Sequence, residues 1–411
     1  MMLSGRLPTR EESAEGFRLM QEGTRLVAEL SERPGFGRFL MPVRLGIADL
    51  RPAAADGPVI TVNVHPRRCD ALIVTRDGDR PVLVPLPGLS ASDLAEQAEG
   101  FRTALAELTA SQPSRLAPAA GKVFGDVLSW LWDVLAEPVL HELGISQEPL
   151  PGMPWPRIWW SPTGLLNAFP LHAAGRHDQP GSSVLDRAVS SYTPTIRALL
   201  RSRAHAAYAH DRAGRRLRRV LTVAMPETAG HAPLEWTAAE AESVASDSTH
   251  RLIGPGATRE AVLAALPDAD VTHFACHASS DPDDPTASHL LLHDGVLNLG
   301  DIAGLRLDSA ELAYLSACGT SRTSTRLADE ALHLASAFQL AGYWQSVATV
   351  WKVGDRFAAT AAAEFYQRIT PALLAGDPLP AAAVLHATVR ALRDSPHAEP
   401  WAWSALVHAG A

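Results

Sequence analysis

Lysine is nearly missing from this chain of 411 residues: all but two of its 36 basic side chains are arginine, the exceptions being Lys122 and Lys352. Such a skew follows from GC-rich coding and carries no functional message of its own. Cysteine is almost as scarce, with only Cys69, Cys276 and Cys318. Three thiols cannot build a disulfide framework; they fit a reducing cytoplasm, the expected compartment. No run of 18 apolar residues occurs and no charged-then-apolar leader opens the sequence, so neither a membrane span nor a signal peptide is expected. An excess of positive charge is also lacking: 45 acidic residues against 36 basic ones leave a net charge of −9. That argues against a nucleic-acid or anionic-membrane binder, which normally carries a basic stripe. Finally, there is no GxxxxGK[ST], GxGxxG or GxSxG pattern. A nucleotide cofactor and a serine-hydrolase elbow are therefore not expected.

What remains is ordinary globular material, 46% hydrophobic and 20% charged, with length for about two or three domains of roughly 150 residues. Residues 1–55 read as a helical arm, with a polar helix over 11–31 that places Phe17, Met20, Val27 and Leu30 near helical spacing. Pro34-Gly35 ends it, and a Pro/Ala-rich linker spans 51–58. Strand signals follow at 59–62 and 71–75, and Asp77-Gly78 turns the second into a hairpin partner at 81–84. Helices are expected over 92–110 and 121–143, then a buried strand at 158–160 and another at 188–192. The second half alternates strand and helix: strands at 220–224, 271–275, 290–292, 310–316 and 346–351; helices at 238–245, 258–266, 328–341 and 357–369. This alternation argues for a mostly parallel sheet covered by helices on both faces. Two lobes are expected, 56–215 and 216–411. The basic run 215–219 is read as a surface or partner contact.

The sharpest chemistry lies at the ends of two of these strands. One reads Val271-Thr272-His273-Phe274-Ala275-Cys276-His277, the other Leu312-Ala313-Tyr314-Leu315-Ser316-Ala317-Cys318-Gly319. In open α/β sheets the carboxyl ends of strands line the ligand crevice, so His277 and Cys318 can meet across it. A thiol is a ready nucleophile once an imidazole takes its proton. Cys276 alternates away from His277 and is read as a core thiol. His273 and His277 sit about 13 Å apart along a strand, too far to share a metal. His289 and His293 stand either as recruits to such a site or, as favoured here, as strand caps facing solvent.

These blocks resemble the CHAT family of caspase-like cysteine peptidases, related to caspases and separases. Phe274-Ala275-Cys276-His277 resembles its histidine block and Leu315-Ser316-Ala317-Cys318 its nucleophile block. Ala328-Asp329-Glu330 opens a stretch similar to the helix that follows, and Trp351-Lys352-Val353-Gly354-Asp355 resembles the end of the next strand. Upstream, Trp160-Ser161-Pro162-Thr163-Gly164 and Ser191-Tyr192-Thr193-Pro194 match further landmarks, as does the run from Trp401 to Gly410. The likeness covers about 56–411. It implies a caspase-like α/β fold with a degenerate first lobe and an active second one. It also implies peptide-bond hydrolysis, with Cys318 as nucleophile, His277 as base and acid, and the backbone N–H groups of Ala278 and Cys318 as oxyanion hole. Ala278 stands where the family commonly has glycine. Trp351, Lys352, Val353 and Asp355, with Asp329 and Glu330, are expected to line the substrate cleft. Asp281, Asp283 and Asp284 read either as a pocket for a basic side chain or, as favoured here, as a solvated turn. No metal or organic cofactor is expected. The expected partners are a protein substrate and an activating sensor or repeat-containing protein, since 1–55 holds at most one repeat of about 34 residues. By analogy the family points to bacterial defence or death-type circuits; a silent scaffold that binds peptides is the alternative.

Overall fold

Apolar β-branched runs in the sequence become strands, and capped alanine-rich stretches become helices. The computed structural model describes residues 45–411 apart from 111–114, 214–216, 245–248, 280–287, 317–333 and 397–398, together with Arg18, Arg25, Leu26 and Glu29, all four helical. The rest of the expected 11–31 helix lies outside the described residues. The chain divides into two compact units, Met1–Asp49 and Leu50–Ala411.

In the larger unit the strands are β1 (Val59–Asn63), β2 (Asp70–Val74), β3 (Val82–Pro85), β4 (Arg157–Pro162), β5 (Val189–Tyr192), β6 (Val220–Ala224), β7 (Thr249–Ile253), β8 (Val271–Ala275), β9 (Ala278–Ser279), β10 (His289–Leu292), β11 (Gly295–Asn298), β12 (Leu312–Leu315), β13 (Gln345–Thr349) and β14 (Leu406–Gly410). Among the described residues, eleven of them form one sheet in the order β3-β2-β1-β4-β5-β14-β13-β12-β8-β6-β7, and β11-β10-β9 form a small second sheet. Pairing in the large sheet is parallel except for β1–β2, β2–β3 and β13–β14. The two expected lobes thus share one continuous sheet.

Helix boundaries follow from their caps. Ser90 accepts from the Asp93 N–H at the head of helix Ala91–Leu108, and Thr258 accepts from Ala261 N–H at the head of helix Arg259–Ala265. Helix Ala117–Leu131 runs through a wide turn, Trp132–Ala136, into Glu137–Glu142. That turn sits just ahead of Pro138, which has no N–H to give the preceding turn. Alternate residues of β8 feed different cores: His273 stacks on Tyr314, 5.0 Å between ring centres, while Phe274 meets Phe338 of helix Leu334–Ala341 at 5.4 Å. Both faces are therefore covered, as a parallel sheet requires.

Strand β14 joins the halves. It lies antiparallel to β13 and meets β5 through Ala409 and Tyr192. The Trp159 indole N–H donates to the Gly410 carbonyl at 2.7 Å, and His408 Nδ1 lies 2.9 Å from Ser191 Oγ. Gly410 has φ +112°, and a Cβ there would stand 2.2 Å from the Trp344 carbonyl oxygen, so only glycine fits. Beside this junction, His172, His386 and His408 surround a cavity of about 20 Å³ together with Ser190 and Tyr192. Burial pushes His172 and His386 down to about 3, and His408 well below the ordinary range.

One member of the basic run departs from expectation. Arg218 is buried and its Nε donates to Glu311 Oε2 at 2.5 Å; Arg219 pairs with Asp268 at 3.0 Å. Arg218 is thus an internal fastener near the start of β6, whereas Arg219 lies at the surface as expected, and Arg215 and Arg216 lie outside the described residues.

Candidate active site

Strands β8 and β12 are parallel neighbours, with Leu315 level with Phe274, and the Ser316 N–H donates to the Phe274 carbonyl at 2.9 Å. Both chains leave the sheet at this level. His277 follows two residues after β8 and is half-buried; Cys318 follows two residues after Ser316 and lies outside the described residues, as do Asp281, Asp283, Asp284, Asp329 and Glu330.

The described half of the site is built on loop 225–236, which follows β6. Met225 donates to the Ala275 carbonyl at 2.9 Å, Leu234 to that of Pro226 at 2.8 Å and His231 to that of Thr228 at 3.1 Å, so the loop folds back over the end of β8. It presents the Ala232 carbonyl oxygen to His277 Nε2 at 2.8 Å, and the His231 ring lies on the His277 ring with centres 5.0 Å apart. A carbonyl oxygen only accepts, so this contact assigns the proton to Nε2 and leaves Nδ1 as the basic nitrogen of the neutral ring. The far end of the loop is tied down as well. The Trp236 N–H donates to Asp355 Oδ2 at 2.7 Å, and the Arg356 guanidinium sits 5.5 Å from the Trp236 ring centre. Burial raises the Asp355 carboxyl above the ordinary range; the Trp236 N–H opposes that, Glu240 and Glu235 add to it, and His277 opposes it.

After His277 the chain enters β9. Leu291 donates to the His277 carbonyl at 2.9 Å. In an antiparallel ladder the next N–H, that of Ala278, then points away from β10. Behind β8, Glu240 Oε1 lies 3.1 Å from His273 Nε2, both residues fully buried, though the pair lacks the alignment of a hydrogen bond. His273 Nδ1 lies 3.2 Å from the Tyr366 hydroxyl. Cys276 is buried among Phe274 and its neighbours, in accord with a core thiol. An open cleft of about 690 Å³ adjoins His231, lined by Met225, Glu227, Ile253, Leu292 and His293. Among the described residues no group of three His, Cys, Asp or Glu is arranged to hold a metal ion.

The expected cleft wall separates. Trp351 is only 6% exposed; its ring meets Phe101 and Phe124 edge-on, and its indole N–H donates to the Trp401 carbonyl at 2.7 Å. Val353 is buried in the same core. The structure thus sets these two apart from the expected cleft, because helices Ala91–Leu108 and Ala117–Leu131 close over the end of β13. Lys352 is exposed, and Asp355 heads helix Asp355–Ala375, where it joins the loop that carries Ala232. Sequence reasoning missed Ala232, Trp236 and Glu240. Ala232 acts through its backbone, which leaves no side-chain signal; Glu240 lies in an alanine-rich helix that reads as surface.

Two solved structures of the Saccharomyces cerevisiae separase–securin complex superpose on 89% of this chain with a TM-score of 0.61, at 9% and 10% identity. The chain spans 30% and 31% of those proteins' own length. The complex of Porphyromonas gingivalis RgpB pro- and mature domains gives a TM-score of 0.42 at 10% identity over 77% of this chain and 76% of that one, a weak likeness. No curated protein matches the sequence. The fold is thus the mostly parallel, helix-flanked sheet of the caspase-like separases. The CHAT domain pattern matches residues 125–411, well over half of the sequence, and the chain belongs to the CHAT-domain family.

Proposed function

We propose that the protein is a caspase-like cysteine endopeptidase acting on a specific protein substrate. The observation that carries this reading is the 2.8 Å contact between His277 Nε2 and the Ala232 carbonyl at the end of β8, beside the strand that leads to Cys318. With Nε2 protonated, Nδ1 takes the Cys318 proton and the thiolate attacks the scissile carbonyl carbon. The oxyanion is met by the N–H groups of Ala278 and Cys318, the imidazolium returns its proton to the leaving amine, and a thioester remains. Water, deprotonated by His277, hydrolyses the thioester and frees the thiol. No step calls for a metal or organic cofactor.

No described helix is long and apolar enough to cross a membrane, and a free-thiol mechanism suits a reducing cytoplasm. Activation by a sensor or repeat-containing partner, in a bacterial defence or death-type pathway, is part of the proposal by family resemblance. The test pairs wild type with Cys318→Ala, using a thiol-reactive peptide probe and proteins encoded beside the gene, with and without candidate activators. Labelling and cleavage that vanish in Cys318→Ala support the peptidase. Labelling or cleavage that persists unchanged in the variant overturns it and leaves the peptide-binding scaffold.

A further inference from the structure

The loop that carries the Ala232 carbonyl is not held by the sheet alone. Its first residues are fastened to β8 through Met225 and Ala275, and its turn closes on itself through Leu234 and Pro226. Its exit runs into helix Thr237–Ser243, whose N-cap is Trp236, and is bonded to a separate element by the Trp236 N–H to Asp355 Oδ2, 2.7 Å, at the head of helix Asp355–Ala375. The residues around that bond act in the same sense. Arg356, next to Asp355, faces the Trp236 ring, and Glu240, one turn further on, meets His273 of β8. Only three residues lie between Ala232 and Trp236, so displacing the exit displaces the carbonyl.

We infer that Asp355 is a positioning residue for His277: by pinning the exit of loop 225–236 it sets the Ala232 carbonyl that holds the imidazole in the Nε2–H tautomer. This assigns Asp355 to the histidine, not to the substrate, and its catalytic consequence rests on the peptidase reading. Releasing the loop frees the ring to populate the other tautomer, in which Nδ1 carries a proton and cannot take one from a thiol.

The experiment uses the full chain labelled with ¹⁵N-histidine, the His277 signals being those lost in His277→Gln. Wild type at mildly alkaline pH gives the Nε2–H tautomer. Asp355→Ala raises the Nδ1–H population about tenfold, the scale of one lost hydrogen bond to a charged acceptor, and lowers kcat only in proportion to the Nε2–H form that is lost, with KM nearly unchanged. Asp355→Asn, which retains an acceptor oxygen, restores both. An unchanged His277 tautomer in a folded Asp355→Ala protein overturns the inference. Should that variant fail to fold, Trp236→Pro deletes the donor of the same bond and must shift the tautomer likewise. Because the tautomer is read without substrate, a wild type that cleaves nothing sinks the peptidase reading while this measurement still decides the role of Asp355.

Discussion

Acid should loosen this protein well before its carboxylates titrate, because three histidines are buried neutral where the two halves of the sheet meet. In the folded chain His172 and His386 titrate at about 3 and His408 is also held far below its ordinary value of 6.5. Burial is the leading cause in each case. A base with a depressed folded pKa contributes its full stability above 6.5; as pH falls the unfolded chain takes up protons that the folded chain refuses, until the folded pKa is reached. Between pH 7 and pH 5 His172 and His386 then cost about 2 kcal/mol each, about 4 kcal/mol together, and His408 acts in the same direction. That approaches the whole stability of a marginal domain, about 5 kcal/mol. His177, also lowered by burial, pushes the same way, while Glu311, raised by burial, pulls against it. Denaturant unfolding at pH 7, 6 and 5 measures the effect, and His408→Gln should remove about one proton from the pH slope. A stability that stays within about 1 kcal/mol over that range, or a slope unchanged in His408→Gln, refutes the reasoning.

Three further outcomes are expected. Trp351→Ala should cost about 3–5 kcal/mol in denaturant unfolding, as for a large core aromatic, while leaving the preferred cleavage sequence unchanged; altered specificity without lost stability would put the ring back in the cleft. Glu240→Ala removes a buried side chain beside His273 and should cost about 1–3 kcal/mol by the same assay. Ala278→Gly keeps the N–H that faces away from β10 and is expected to change kcat by no more than a few-fold; a large gain in kcat would identify alanine as a brake on the oxyanion hole.

Much of the sheet was legible because its signals are local. The runs at 220–224 and 271–275 are strands to the residue, and Asp77-Gly78 turns β2 into β3. His277 stood out because a histidine just past a parallel strand sits where crevices form. What escaped depends on distant partners. A tryptophan at the end of β13 reads alike whether it walls a cleft or plugs a core, and only Phe101 and Phe124, more than 200 positions away, decide. Helix Ala381–Arg393 carries no expectation from the sequence, and Leu406–Gly410 reads only as a family landmark, since five residues alone do not reveal which strands they will join. The carbonyl beside His277 is the extreme case, a functional atom common to every residue type.

The strand that unites the sheet follows every other described strand, and its place between β13 and β5 means that until Leu406–Gly410 pairs, each half exposes an unsatisfied row of backbone donors and acceptors. Such open borders invite pairing with other chains. During synthesis the first half must therefore wait, with β5 uncovered, for more than 200 residues to be made. A nick or stop ahead of Leu406 would leave two half-sheets with open borders in place of one continuous sheet.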